Sequence, residues 1–424
     1  MHIGTGKSLS FVAMTVASLI LSSCGGGSTS SNSGGSGGNP TDTDVVFSFA
    51  GGVAPLAVAE QFGTGAWTKA SAPTNGQLTV TVPNGTNNYA VAYVCPTWQG
   101  MGPVNQETII EATLTDGTAF TVSCFQNPTP GVGTGSANGT AIAGVTGLRI
   151  AGTQGYGAYL NTPSGSFNTN FAKGANDIAV VGLDNSSNVL GVKIVRGQTV
   201  PGAINSNNTI MLAASDATTP QSIAVTNIPS GFTSPAAVAA SYWTASGTFF
   251  ELMNNTSPTQ YAAVPVSQSQ SGDYYSFTAN TASGSHQSLY VATTATSSGS
   301  VILQMPAPLT YDAPAPAALP TFTVNYSGFS GATASGELVT IQWFINTSTL
   351  EYLSVYATSS SLNGVTTLTV PDLTALSGFF KSATSGATVD WAAEAYGGSF
   401  HLFTPSPSTG SIAIAEASGQ FTEP

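Results

Sequence analysis

Carboxylates are the main stock of reactive side chains in this chain, with 19 Asp and Glu against three histidines and three cysteines. Glycoside hydrolysis needs only two carboxyl groups, about 5 to 10 Å apart across a sugar. Two pairs invite that reading: Glu107 with Glu111 on one face of a single candidate strand, and Asp390 with Glu394 around Trp391. Sparse acids in a long chain form such pairs by chance, so solvated strand faces are the stronger reading of both. Asp390 and Trp391 also suit sugar binding, because a flat indole covers the apolar face of a sugar and a carboxylate takes its hydroxyls. Trp98, in a Gly-containing stretch after Cys95-Pro96, is the aromatic expected in an exposed loop. Trp67, Trp243, Trp343 and Tyr274-Tyr275 are further platforms if exposed, but Trp343 alternates with Ile341 and Ile345 and reads as buried.

Other chemistry is excluded by what is missing. Beyond the first 23 residues the histidines are His286 and His401, and neither sits in a nucleophile motif. There is no H-E-x-x-H, zinc spacing, P-loop or EF-hand loop. Gly152-x-x-Gly155-x-Gly157 has the wrong order for a dinucleotide site. Gly34-Gly35-Ser36-Gly37-Gly38 matches a nucleophile elbow only because the tract is Gly/Ser-rich. No catalytic residue, cofactor or metal is assigned, and the chain reads as non-enzymatic.

The elements that must position these residues are strands. Leu78-Thr79-Val80-Thr81-Val82 and Val339-Thr340-Ile341-Gln342-Trp343 alternate with period two and are bounded by Gly, Pro, Asn and Ser turns. The one helical candidate is Pro371 to Leu376, ended by Gly378. The roughly 380 residues after the Gly/Ser tract are too many for one core.

Internal similarity organises them. Gly76-x-Leu78, Gly85 and Asn88-Tyr89-Ala90-Val91 recur as Gly165-x-Phe167, Gly174 and Asp177-Ile178-Ala179-Val180, and Gly65-Ala66-Trp67 recurs as Gly157-Ala158-Tyr159. A shorter pattern, Gly-x-x-x-apolar-x-apolar-Pro, begins at Gly76, Gly299 and Gly364 and describes a strand that leaves a Gly turn and stops at Pro. Units of roughly 90 residues with many short strands are most often immunoglobulin-like sandwiches. The fold expected is therefore all-β, tandem β-sandwich (immunoglobulin-like) domains over 45–134, 135–230, 231–310 and 321–424. Their limits fall at Pro128 to Gly135, at Pro229-Ser230-Gly231, and at a proline-rich stretch from Pro306 to Pro320 that suits a semi-rigid spacer.

The amino-terminal segment has Lys7, an apolar core from Phe11 to Leu21, and small residues before Cys24. The core is too short to span a bilayer. Leu21-Ser22-Ser23-Cys24 resembles the lipobox of bacterial lipoprotein precursors. The resemblance implies a signal peptide over 1–23 cleaved after Ser23, with acylation at Cys24, so that lipid chains anchor the mature protein. Gly25, standing where inner-membrane lipoproteins of many Gram-negative bacteria carry Asp, implies the outer membrane. Residues 24–44 then form a lipidated, disordered Gly/Ser linker with a reach of roughly 25 Å.

Export places Cys95 and Cys124 in an oxidising compartment, and a disulfide between them is expected, worth roughly 3 to 4 kcal/mol. There is no C-x-x-C spacing or nearby histidine to suggest redox or metal chemistry. Removing the signal peptide leaves six Lys/Arg against 19 Asp/Glu, a net charge of −13. Such a surface disfavours nucleic acid and anionic lipid. The expectation is a membrane-anchored envelope or cell-surface binding module for glycans or surface proteins. The alternatives are a structural or assembly lipoprotein of the envelope, and a carboxylate-dependent glycoside hydrolase.

Overall fold

The computed structural model describes residues 41–50, 54–99, 102–124, 130–153, 157–204, 209–233, 236–256, 259–295, 299–325, 334–344, 350–398 and 410–424. Residues 1–40, Cys24 among them, lie outside the described residues, as does His401, whereas Thr43 and Asp44, expected at the end of the linker, open the first strand. The chain is all-β and built from stacked sheets. The alternating run Gln77–Val82 shows why: Leu78, Val80 and Val82 are buried while their neighbours face water, the outcome of period-two patterning on a pleated strand.

One plan recurs along the chain. In the first unit, Gln77–Val82, Thr43–Ala50 and Ala119–Ser123 form a three-stranded sheet in that order, with the last strand parallel to the middle one. It covers strands ordered Thr68–Lys69, Ala57–Phe62, Asn88–Gln99 and Gly102–Thr113. The second unit repeats this with Ser164–Ala172, Pro130–Asn138 and Gly202–Ala203 over Ala158–Leu160, Gly147–Ala151, Gly174–Leu183 and Val189–Val200. The third places Gln260–Ala263, Thr219–Thr226 and Val301–Gln304 over Phe249–Thr256, Ala237–Trp243, Tyr274–Ser283 and His286–Thr294. The fourth keeps the larger sheet as Leu350–Thr358, Ala334–Phe344, Thr388–Gly398 and Gly410–Thr422, and covers it with Thr310–Asp312, Thr321–Asn325 and Thr367–Thr369. Within the longer sequence repeat, Leu78 and Phe167 occupy matching strands of the first and second units, as do Asn88 to Val91 and Asp177 to Val180.

Sequence order is not spatial order. The larger sheets of the third, fourth and first units run on as one sheet of twelve strands among the described residues. His286–Thr294 of the third unit pairs antiparallel with Gly410–Thr422 of the fourth, from His286 opposite Ala417 to Thr293 opposite Gly410. On the far side Leu350–Thr358 pairs in parallel with Gly102–Thr113, bringing the last unit against the first. Main-chain hydrogen bonds thus cross both joins, and one apolar core takes Val94 and Ile109 from the first unit with Trp343, Trp391 and Phe322 from the fourth. Burying each such side chain favours folding by about 1.5 to 3 kcal/mol.

The second unit docks on the third through a shared apolar core, where Val181, Val192 and Ile194 meet Tyr242, Phe250 and Phe277, and through polar clamps. Arg149 meets Glu251 at 3.0 Å, and Arg196 bridges Asp177 of its own unit at 2.9 Å and Asp273 of the next at 2.6 Å.

Three sequence expectations need correction. Pro371 to Leu376 is a turn: Asp372 accepts the Thr374 N–H at 2.9 Å, giving the backbone a partner that competes with a helix too short to nucleate. Pro306 to Pro320 is no free spacer, because Leu309, Pro314 and Pro320 are buried and Thr310–Asp312 is a strand. Trp98 stands in the Asn88–Gln99 strand opposite Pro103, not in a loop, and its side chain lies outside the described residues.

The three Gly-to-Pro strands all lie at edges of three-stranded sheets. Gly76, Gly299 and Gly364 have φ of 73°, 78° and 80°, a left-handed turn that residues with a side chain resist.

Candidate functional site

Gly102–Thr113 is an interior strand of the long sheet, paired along both edges, and it sends side chains into a core on each face. Ile110 and Ala112 enter the core of the first unit, while Ile109 enters the core shared with the fourth. Glu107 lies two residues from Ile109 and therefore faces the fourth unit. There the Phe380 N–H donates to Glu107 Oε2 at 2.8 Å. Burial pushes the Glu107 carboxyl up to about 7; the Phe380 hydrogen bond opposes this and the nearby Glu351 adds to it.

Glu107 lines a small pocket between the strands and the overlying segments around Pro320 and Leu373 to Ala383, with a cavity volume of about 30 Å³ that opens to solvent. Its walls are largely apolar and include Trp343, Phe380, Leu373 and Phe421, with Glu423 and Lys381 also on the lining. The rings of Trp343 and Phe380 meet edge to face, 6.1 Å apart at 90°. Lys381 is exposed and its Nζ donates to the Thr374 carbonyl. An apolar pocket holding a carboxyl of perturbed acidity is the usual form of a small-ligand site.

More acids share this face. Glu111 stands beside Ala357, which stands beside Glu337, so the two glutamates flank one alanine across three strands. Burial raises Glu111, Glu337 and Glu351 each to about 7. Glu351 Oε2 and Glu337 Oε2 are buried without a hydrogen-bond partner.

The residues singled out in the sequence are not brought together. Glu107 and Glu111 do share a face, but four residues of strand separate them by ~13 Å, outside the spacing a glycosidase pair needs. The same holds for Asp390 and Glu394. Trp391 and Asp390 are adjacent on one strand and point to opposite faces. Trp391 is buried, with Tyr311 at 5.3 Å and Phe322 at 5.8 Å, whereas Asp390 accepts a hydrogen bond from Gln420 at 2.6 Å. Trp343 is buried; Trp243 stacks between Phe249 at 4.5 Å and Tyr274 at 5.9 Å, and all three belong to a packed wall. His286 contacts Tyr311 edge to face at 5.4 Å. Among the described residues no group of three or more His, Cys, Asp or Glu could hold a metal ion. Cys95 and Cys124 are joined as a disulfide between the two sheets of the first unit.

Sequence reasoning missed Glu337, Glu351 and Glu416 as members of buried acid groups. Each is a charged residue inside an apolar strand, and that was the available signal.

No protein family profile matches the chain, and no curated protein matches it. Among solved structures it is similar to the crystal structure of chicken CNTN1 FN1-FN3 domains, at 7% identity over 66% of this chain and 89% of that one, with a TM-score of 0.16.

Proposed function

We propose that this protein is an exported lipoprotein, anchored through acylated Cys24 in the outer membrane, whose β-sandwich body is a non-enzymatic binding module. The anchor rests on the lipobox resemblance. The observation that supports binding is the Glu107 pocket, because it is assembled from two units remote in sequence and keeps a carboxyl in an aromatic-walled recess. A purely structural envelope protein has no use for such a recess, since filling it with an aliphatic side chain would stabilise the body.

The buried positions of Trp343, Trp391 and Trp243 remove most of the aromatic platforms on which glycan recognition through exposed loops would have relied. A small ligand held in the pocket is the better form of the proposal.

The anchor is tested by Cys24→Ala. Retention of the processed chain in washed membranes would overturn it, and release into the soluble fraction supports it. Binding is tested on the soluble mature body by following the Phe380 amide during titration with small amphiphiles of opposite charge. Absence of any saturable shift would return the protein to the structural reading.

A further inference from the structure

Carboxyl groups outnumber cations on the pocket lining, with Glu107 and Glu423 against Lys381. Besides burial, the nearby Glu351 helps to push the Glu107 carboxyl up. Glu111 and Glu337 lie further along the same face, and the overlying loop brings Asp372 and Lys381. Lys381 is the one cation on the described lining; it sits exposed and is tied to the Thr374 carbonyl, and it adds to the Thr374 hydrogen bonds that hold Asp372 below its ordinary range. None of the ion pairs among the described residues reaches Glu107, Glu351 or Glu423.

Buried carboxylates are ordinarily matched by a cation or by several hydrogen bonds. Here the Phe380 N–H donates to Glu107, and Glu351 Oε2 is buried without a hydrogen-bond partner. Beside Glu107 stand the indole of Trp343 and the ring of Phe380, whose π faces attract a cation. The rest of the wall is mostly aliphatic, with Phe421, Thr374, Ser382, Lys381 and Glu423 on it as well. An anion would meet like charge, and a sugar would find few polar partners for its many hydroxyls.

We propose that the pocket binds a small organic cation, an amine with a compact apolar body, whose ammonium pairs with Glu107 while the body lies between Trp343 and Leu373. This deepens the binding reading above and rests on it. The ligand supplies Glu107 with the cation that no ion pair among the described residues gives it. Because the ammonium favours ionised Glu107, its affinity rises with pH through about 7, as long as the amine, with an ordinary value near ~10, stays protonated.

The experiment compares n-butylamine, 1-butanol and butyrate, which match in shape and differ in charge, titrated into the soluble mature body with the Phe380 amide as the local readout. The expected order is amine, then alcohol, with butyrate weakest, and an amine preference over alcohol of roughly tenfold, the scale of one partly desolvated charge pair. Glu107→Gln keeps an acceptor for the Phe380 N–H, so it retains the pocket and the alcohol site while abolishing both the amine preference and its pH dependence. Equal affinity for amine and alcohol, or an amine preference that survives Glu107→Gln, would overturn the cation assignment while leaving a binding pocket in place. If none of the three probes moved the Phe380 amide, the binding reading itself would fall with it.

Discussion

Glu394 and Glu416 stand directly opposite each other on adjacent antiparallel strands, and each is less than 5% exposed. Gln287 of the third unit donates to Glu416 at 3.3 Å across the join between units. Tyr396 on the same strand and Tyr356 two strands away also feel Glu394, and no ion pair among the described residues reaches either glutamate. Opposed residues in such a ladder have Cβ atoms about 5 Å apart, so two charges there would be both buried and mutually repelling. Burial first, and then the charge of its partner, pushes Glu394 up; burial pushes Glu416 up as well, against the Gln287 hydrogen bond.

The consequence is an unusual dependence of stability on pH. A carboxyl whose folded value lies above its unfolded one binds more protons when folded, so stability falls as pH rises between the two values. Glu107, Glu111, Glu337 and Glu351, at about 7, act in the same sense as the Glu394–Glu416 pair. The urea midpoint is therefore expected to be higher near pH 5 than near pH 8, each titrating group contributing a slope of up to about 1.4 kcal/mol per pH unit. Glu394→Gln should flatten that slope, and a wild-type midpoint that rises from acid to neutral pH would contradict the account.

A second expectation concerns the clamp between the second and third units. Arg196 donates two hydrogen bonds to Asp273, which also accepts from the Tyr242 hydroxyl and the Ala245 and Gln270 N–H groups. Burial works against ionised Asp177, but the Gly197 N–H and Arg196 outweigh it and hold its carboxyl below the ordinary range. Arg196→Met removes the cation and leaves Asp273 charged and buried, a change that costs about 3 to 5 kcal/mol for a broken buried pair. Urea titrations of the two proteins measure it. Since Asp177 gives stability that is present above its unfolded value and lost as pH falls through the folded one, the substitution should also weaken the loss of stability in acid.

Local features were legible because local chemistry causes them. The period-two runs at Leu78 to Val82 and Val339 to Trp343 became strands with the expected buried faces. The Gly turns before strands that end at Pro, and the Cys95–Cys124 bond, were likewise readable from the sequence. What the sequence hid was which strands meet. Glu111 and Glu337 are more than two hundred residues apart, and only the parallel pairing of Leu350–Thr358 with Gly102–Thr113 puts them on either side of Ala357. Trp391 failed as a binding platform for a related reason. Alternation fixed that it and Asp390 point oppositely, but which face would be covered depended on the sheet from Thr310 to Thr369 packing above it.

The cover over Trp391 has a counterpart in the plane of the sheet, and this supplies the last expectation. Gly419 is its direct cross-strand partner, and a Cβ built there would lie 2.7 Å from the indole Cζ2. The glycine is therefore the space in which the ring lies, an aromatic side chain covering the backbone that a bare residue leaves open. Gly419→Val would push the indole toward Tyr311 and Phe322, which already pack against it, and overpacking of this kind costs about 1 to 3 kcal/mol. Thermal unfolding of the single variant and of Gly419→Val combined with Trp391→Leu separates the cause. If the clash is with the ring, the second substitution reduces the cost of the first, so the two effects fall short of additivity. Full additivity, or a Gly419→Val protein as stable as its parent, would show that the glycine is kept for its backbone alone.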